Sequence, residues 1–292
     1  MGEDLTLFLQ YAFNGIAMGA VYAMIAAGIT LVYGLSRIIH FAVGELVMFG
    51  AFVALMVWEG TGSFSLAIAT AIPVLAFIGL ITERVVFRFT LREPLTGFIV
   101  SLGLILVFQG TAVEIWTANP KYSQPPLQGA WEFFDITVRK QSVLNLAIAA
   151  VVLAVCYYVL KMTTAGKSVR AVSDDPDASA LMGIPVKKVI MATFIVGSAL
   201  AGIAGCIIMT VGFINPYIGA VYLLRGFAVA LIGGLGNIQG AALAGIGLGI
   251  AESLAAGYVG PGWTDAYVFG TAVLILLWRP TGLAGGAEGA RI

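Results

Sequence analysis

Apolar stretches recur along almost the whole chain, at 7–33, 42–58, 64–82, 95–116, 142–161, 188–213, 219–236, 239–257 and 263–279. No other feature limits the fold as much. About 20 apolar residues in a helix cross the ~30 Å hydrocarbon core of a bilayer. Inside lipid, a segment that does not pair its own backbone groups leaves them unpaired at high cost. The expectation is an all-α, polytopic integral membrane bundle of about nine spans, forming one transmembrane domain over 1–292. Some stretches fall short of 20 residues, so short, tilted or re-entrant segments are expected among them. The stretch 219–257 is interrupted by Gly233-Gly234-Leu235-Gly236-Asn237. It reads as two short spans or as a re-entrant hairpin followed by a span.

Composition agrees. Hydrophobic residues make up 60% and charged residues 10% of the 292, whereas soluble domains carry about 25% charge. Fifteen basic and fifteen acidic residues cancel, which gives no footprint for nucleic acid. The two cysteines, Cys156 and Cys206, fall inside apolar stretches and suggest neither a disulfide framework nor a metal site. The start, Met1-Gly2-Glu3-Asp4, lacks the basic region of a cleaved leader, so the first helix is expected to stay.

Lysine and arginine set the orientation, because they concentrate on the cytoplasmic side. With the N-terminus outside, eleven of the fifteen fall in inner segments: Arg37, Arg84, Arg88, Arg92, Lys161, Lys167, Arg170, Lys187, Lys188, Arg279 and Arg291. Only Lys121, Arg139 and Lys140 fall outside, and Arg225 lies within a span. The C-terminus and the polar insert at 162–187 are thereby expected in the cytoplasm, and the loop 117–141 outside. The insert is too charged for hydrocarbon. Its acidic start at Asp174, Asp175 and Asp177, followed by Ala180, Leu181 and Ile184, suits a short helix with an apolar face. A polar helical insert between spans is a place for a soluble partner to push.

Enzymatic readings fail. Gly166-Lys167-Ser168 would need a glycine at 161 to form a phosphate-binding loop, and that residue is Lys161. The chain is therefore not expected to hydrolyse ATP, and no cofactor is expected. His40 is the only histidine, so no zinc-type cluster is available. Polar residues inside spans are costly and hence candidates for lining a path. They include Gln10, Asn14, Glu45, Gln109, Glu114, Arg225 and Glu252. The Asn-Pro steps at 119–120 and 215–216 read as turns. Glycine runs such as Gly245-Ile246-Gly247-Leu248-Gly249 read as helix-packing surfaces. One internal echo stands out: Gly19-Ala20-Val21-Tyr22 recurs as Gly219-Ala220-Val221-Tyr222, with both copies running from outside to inside.

Several motifs together resemble a known family. These are Phe13-Asn14-Gly15 with Val32-Tyr33-Gly34, Ile39-His40-Phe41-Ala42-Val43-Gly44-Glu45, and Gly166-x-x-x-Arg170-Ala171 with Ala180-x-x-Gly183-Ile184. Further along stand Ile214-Asn215-Pro216-Tyr217-Ile218-Gly219, Gly233-Gly234-Leu235-Gly236-Asn237 and Pro280-Thr281-Gly282. They resemble the permease of branched-chain amino acid ABC importers, in particular the shorter of that family's two permeases. His40 replaces the family's usual Asn, and Val43 its usual His.

The resemblance implies a bacterial inner-membrane permease subunit that moves branched-chain or related small amino acids into the cytoplasm. Its implied partners are two ATP-binding cassette ATPase subunits, a second permease in a heterodimer and an extracytoplasmic solute-binding protein. Asp177-Ala178-Ser179 with Gly183 is similar to that class's ATPase-docking loop. Gly166, Arg170, Asp177, Ala178, Ala180, Gly183 and Ile184 are thus the expected coupling residues. Asn14, His40, Glu45, Arg225, Gly233, Gly234, Asn237 and Glu252 are the expected path residues. Two other readings remain: an ion-coupled carrier using Glu114 or Glu252, and a passive channel for urea-like or amide-like solutes.

Overall fold

The computed structural model of the protein describes residues 3–91, 93–133 and 136–283. Arg92 and Arg291, both used in the charge count, lie outside these. In chain order the helices are α1 (Glu3–Ser36), α2 (Val43–Thr61), α3 (Phe64–Ile81), α4 (Pro94–Trp116), α5 (Lys140–Met162), α6 (Thr164–Asp174), α7 (Pro176–Leu181), α8 (Val186–Met209), α9 (Ile218–Gly233), α10 (Ile238–Tyr258) and α11 (Thr264–Trp278). Each expected apolar stretch is thus one helix, with ends shifted by a few residues, and the insert supplies α6 and α7. Seven helices are long and apolar enough to cross a membrane. The exceptions, α9 and α11, have 16 and 15 residues, and α9 reaches only about 24 Å. The protein is a polytopic helical membrane bundle.

Helix α1 is the hub. In its most apolar window 89% of residues are buried, against 11% in α4 and 17% in α5. The outer helices therefore leave most of their apolar faces uncovered by the described residues, and α1 packs against α8, α9 and α10. The α1–α10 seam depends on missing side chains. A Cβ on Gly19 would stand 2.4 Å from the Gly245 carbonyl oxygen, and one on Gly249 would stand 2.3 Å from that of Gly15. Such contacts let backbones touch in lipid, where dispersion replaces the hydrophobic effect as the force between helices. Gly247, between them in sequence, faces open space.

The echoed segments meet. Tyr22 and Tyr222 rings lie 6.5 Å apart between centroids. Gly226 abuts Ile25, and Gly34 faces Gly236, so α1 and α9 run side by side in the same direction. At the other end, the loop after α4 forms two small antiparallel ladders. β1 (Lys121–Tyr122) pairs with the stretch before α9, β4 (Phe213–Ile214), while β2 (Ala130–Phe133) pairs antiparallel with β3 (Ile136–Arg139). Between β4 and α9 the Asn215 side chain accepts from the Tyr217 amide at 2.9 Å, which is the turn expected of that Asn-Pro step.

Candidate functional site: coupling insert and polar interior

The insert is two helices with different attachments. Thr163 caps α6 by accepting from the Gly166 amide. Gly166 sits so close to the end of α5 that a Cβ there would strike the Leu160 carbonyl. Val172 is fully buried in an apolar cluster with Val32, Leu35, Phe87, Ile190 and Phe194. The Ser173 hydroxyl donates to the Gly34 carbonyl at 2.9 Å, and Arg170 donates to the Leu160 carbonyl. Helix α6 is thereby fastened to the ends of α1, α5 and α8.

Helix α7 is not. The Asp175 carboxylate caps it, accepting from the Asp177 and Ala178 amides at 2.9 Å each. Ser179 and Ile184 turn inward, whereas Ala180 is exposed. Leu181 and Met182 are 90% and 83% exposed. Of the apolar face expected to dock a partner, Ala180 and Leu181 project, while Ile184 turns inward beside Ser179. Gly183, at φ 84°, closes the helix in the left-handed region that a side chain disfavours. The result is an apolar knob held away from the bundle.

Between α1 and α2 the chain does not make a surface turn. The link 37–42 runs under α4, where the Ser101 hydroxyl donates to the Phe98 carbonyl at 2.7 Å, accepts from the Phe41 amide at 3.4 Å and lies 3.4 Å from the Ile39 carbonyl. His40 is 3% exposed and lies between Phe87 and Phe194, with ring centroids at 4.7 and 5.7 Å. Neither ring nitrogen has a partner among the described residues. Burial pushes the imidazole down to about 3, so it is neutral at physiological pH. Non-helical backbone of this kind persists in a membrane protein only where protein encloses it.

Helix α2 therefore starts inside the protein, against the start of α9. Glu45 is 1% exposed. Its Oε1 accepts from the Gln109 side-chain amide at 2.9 Å, and its Oε2 has no partner among the described residues. A Cβ on Gly219 would come within 2.6 Å of that Oε2, so the carboxylate occupies the space a side chain in the first turn of α9 would need. Two helix N-termini converge on one carboxylate, an arrangement their dipoles favour.

Arg225 is paired rather than free. Its Nε is 3.0 Å from Glu252 Oε1 and its Nη2 is 3.0 Å from Asp265 Oδ1, with the guanidinium 6.0 Å from the Tyr22 ring centroid. This group ties α1, α9, α10 and α11 together. Asp265 and Tyr22 were not foreseen; Asp265 opens the last apolar stretch, where an acid suits a helix start.

Asn14 lines a cavity of about 350 Å³ with Gln10, Ser142 and Asn145. Beside it runs a ladder that the sequence reading missed. Gln141 Nε2 donates to Asn145 Oδ1 at 2.8 Å, and Asn145 Nδ2 donates to Thr210 Oγ1 at 2.9 Å. The i, i+4 spacing of Gln141 and Asn145 at the head of an apolar stretch was the available signal.

The interruption at 234–237 is a tight turn at the insert's end of the bundle. Gly234 and Gly236 have φ of 94° and 95°, and the Asn237 side chain caps α10 by accepting from the Gly240 amide at 3.0 Å. Gly233 is pressed against the Gly240–Ala241 backbone. The Leu283 amide donates to the Ile232 carbonyl at 2.7 Å, which brings the Pro280-Thr281-Gly282 segment onto the turn. The Asn14 cavity, Glu45, the Arg225 group and this turn are separate places along the bundle.

Comparison with known proteins places the chain. Residues 11–277 match the family described as branched-chain amino acid transport system / permease component. Over 306 aligned residues the chain is 32% identical to the high-affinity branched-chain amino acid transport system permease protein LivH of Escherichia coli K12, with 99% of each chain covered. It is 32% identical over 302 residues to the permease BraD of Pseudomonas aeruginosa, covering 96% of this chain and 97% of that one. With the ribose import permease protein RbsC of Haemophilus influenzae it shares 28% identity over 249 residues, 81% of this chain and 70% of that one. No solved structure matches it. A family match from residue 11 to residue 277, with relatives aligned almost end to end, means that this chain belongs to the branched-chain amino acid transport permeases.

Proposed function

We propose that the chain is the permease subunit of an ATP-binding cassette importer, moving branched-chain or related small amino acids into the cytoplasm. The observation that carries this reading is the insert. One helix is locked to the bundle, and the next presents Leu181 and Met182 to solvent at about 90% and 83% exposure. Exposed apolar side chains at the tip of a capped helix suit a protein groove. Two ATPase subunits would take the α7 tips of a permease pair, and the lipid-facing or partner-facing helices α4 and α5 leave room for a second permease. A solute-binding protein would deliver cargo from the side of β1–β4. In this reading the N-terminus is outside, and the insert and C-terminus are cytoplasmic.

Gly166, Arg170, Asp177, Ala178, Ala180, Gly183 and Ile184 form or brace the coupling insert. Asn14, His40, Glu45, Arg225, Gly233, Gly234, Asn237 and Glu252 belong to the path or its walls. An ion-coupled carrier is less well supported, because Glu252 is already neutralised by Arg225 and Glu114 is exposed on α4. His40 and Val43 depart from the family's usual residues, so cargo is best assigned by uptake competition among leucine, isoleucine, valine and short amides.

The test is copurification and coupled hydrolysis. Ala180→Asp or Leu181→Asp is expected to leave membrane insertion intact while losing ATPase association and cargo-stimulated ATP hydrolysis. Normal stimulation in both variants would sink the proposal. Orientation is tested by single cysteines. Those at Ser123 and Gln128 should label from outside with an impermeant thiol reagent, and one at Ser173 only after permeabilisation.

A further inference from the structure

In the half of the bundle nearest the insert, α5 and α8 leave a cleft of about 420 Å³ between them. Both helices are long and apolar enough to cross a membrane. Leu31 of α1 and the first residues of α6 complete the wall. We propose that this cleft seats one acyl chain of an anionic phospholipid, whose headgroup lies at the basic end beside the insert.

The first observation is the chemistry of the wall. None of its fifteen residues is charged, and only Cys156 and Thr193 carry a polar side-chain atom. The Thr193 hydroxyl already donates to the Ile190 carbonyl at 2.7 Å. Water needs several polar partners in a cavity and finds none here. An empty cleft forfeits the dispersion contacts of its lining, so hydrocarbon is the filling that this wall accepts.

The second is shape. Cys156, Leu200 and Ile203 are buried at the back, while Val151, Val155 and Val196 form exposed lips, so the cleft opens sideways between two spanning helices. It runs from Val151 to Leu160 along α5 and from Ala192 to Ile203 along α8. At 1.5 Å per residue these are about 14 and 17 Å, one leaflet of a hydrocarbon core about 30 Å thick. The mean cross-section is then about 30 Å², whereas a helix about 10–12 Å across needs about 80 Å² or more. An extended acyl chain fits. A spanning helix of another subunit does not.

The third is charge. On α8, Lys188 stands one turn before Ala192 and shares its face; on α6, Arg170 stands one turn after Gly166. Both cations are exposed, and neither makes an ion pair among the described residues. Basic residues at one end of a groove between spanning helices suit a lipid phosphate.

The plainer account is loosely held lipid of the kind that wets every exposed face. It gives no reason for a groove one leaflet long and one chain wide. A chain seated there packs on Ala165 and Val169 of α6, the helix that fastens the insert, and so helps to hold the coupling device in place. That consequence rests on the function proposed above; the binding itself rests only on the fold.

The probe is phosphatidylglycerol carrying a photoreactive diazirine midway along one chain. It is added to delipidated full-length permease in neutral detergent, and crosslinks are mapped by peptide mass spectrometry. Labelling concentrated on residues 151–160 and 192–203 is expected, and unlabelled phosphatidylglycerol should compete it away. Val155→Phe and Val196→Phe crowd the cleft from opposite lips. Each should lower this labelling by about tenfold, the size of an overpacking penalty, while Val107→Phe on the exposed side of α4 keeps it. Both lip residues are exposed, which favours folding of the variants; if one fails, the other and the wild-type map carry the test. Wild type should label more strongly with the phosphatidylglycerol probe than with its phosphatidylcholine counterpart, and Lys188→Gln with Arg170→Gln should abolish the difference.

Labelling spread evenly over α4 and α5, or undiminished in both crowded variants, overturns the proposal. So does a permease dimer whose chains crosslink through these peptides to the exclusion of lipid. Equal labelling of the wild type by the two probes overturns the anionic headgroup. Cleft labelling in a chain that copurifies with no ATPase would sink the function proposed above and keep the lipid site.

Discussion

The α1–α10 seam and the α7 tip are both built from small or apolar residues, yet they use them in opposite ways. At the seam, Gly15, Gly19, Gly245 and Gly249 remove side chains so that backbones meet. At the tip, Leu181 and Met182 hold apolar side chains that none of the described residues covers. The seam is complete within one molecule. On the proposed function, the tip needs a second one. Substitutions at the seam should therefore cost folded protein, and those at the tip should cost only work done with a partner.

Five variants test that contrast, beginning with the largest effect. Gly19→Val places atoms where the Gly245 carbonyl already stands. Overpacking costs about 1–3 kcal/mol in ordinary cores and more against rigid backbone, so folded protein should nearly vanish on size-exclusion chromatography. A normal yield would mean the seam can separate.

Leu181→Asp combined with Met182→Asp should leave yield and thermal stability unchanged while ATPase stimulation falls to background. A comparable loss of yield would show that the tip serves folding.

Gly234→Val falls between these cases. Its φ of 94° costs a β-branched residue about 1–3 kcal/mol. On the path reading, uptake should fall further than folded protein does; a proportional fall would make the turn structural only.

Asp265→Asn should have the smallest effect, shifting stability by no more than about 1 kcal/mol, because an exposed partner of an ion pair contributes little. The Asp265 side chain is 74% exposed. Glu252→Gln, which strips the sheltered partner from Arg225, should cost more.

A pH series bears on the buried link that joins α1 to α2. His40 is held neutral, with its value lowered from 6.5 to about 3. Between those values the unfolded chain takes up a proton that the folded chain refuses, so stability should decline as pH falls from 6.5 and be unaffected above it. At pH 5 the loss is about 2 kcal/mol. In His40→Phe the decline in thermal midpoint between pH 7 and pH 5 should shrink; an unchanged decline would place the titrating group elsewhere.

Much of the fold was legible in the residues. Helix positions followed from apolar length, because lipid leaves a spanning segment no other way to pair its backbone. The insert was legible because its charges cannot enter hydrocarbon. Capping at Asp175 and the turn at Asn215 were legible because both are settled by neighbours in sequence. The partners of the polar residues were not. Gln109 reaches Glu45 across 64 positions, Asn145 reaches Thr210 across 65, and Arg225 reaches Asp265 across 40. No local pattern encodes such pairs. That Ile184 turns inward while Leu181 projects was not legible for a related reason: a six-residue helix is too short for periodicity to tell an anchored face from a presented one.

By itself the sequence determined the class of protein, a helical membrane permease, and the rough limits of each helix, since length, hydropathy and charge act through solvent and need no neighbours. Only the tertiary structure decided that α1 is the hub, that α2 begins inside the protein against α9, and that α6 is fastened while α7 projects. Those outcomes depend on which surfaces meet. In a bundle where nearly every face is apolar, packing of glycines and pairing of a few polar groups select among arrangements that hydropathy alone leaves equivalent.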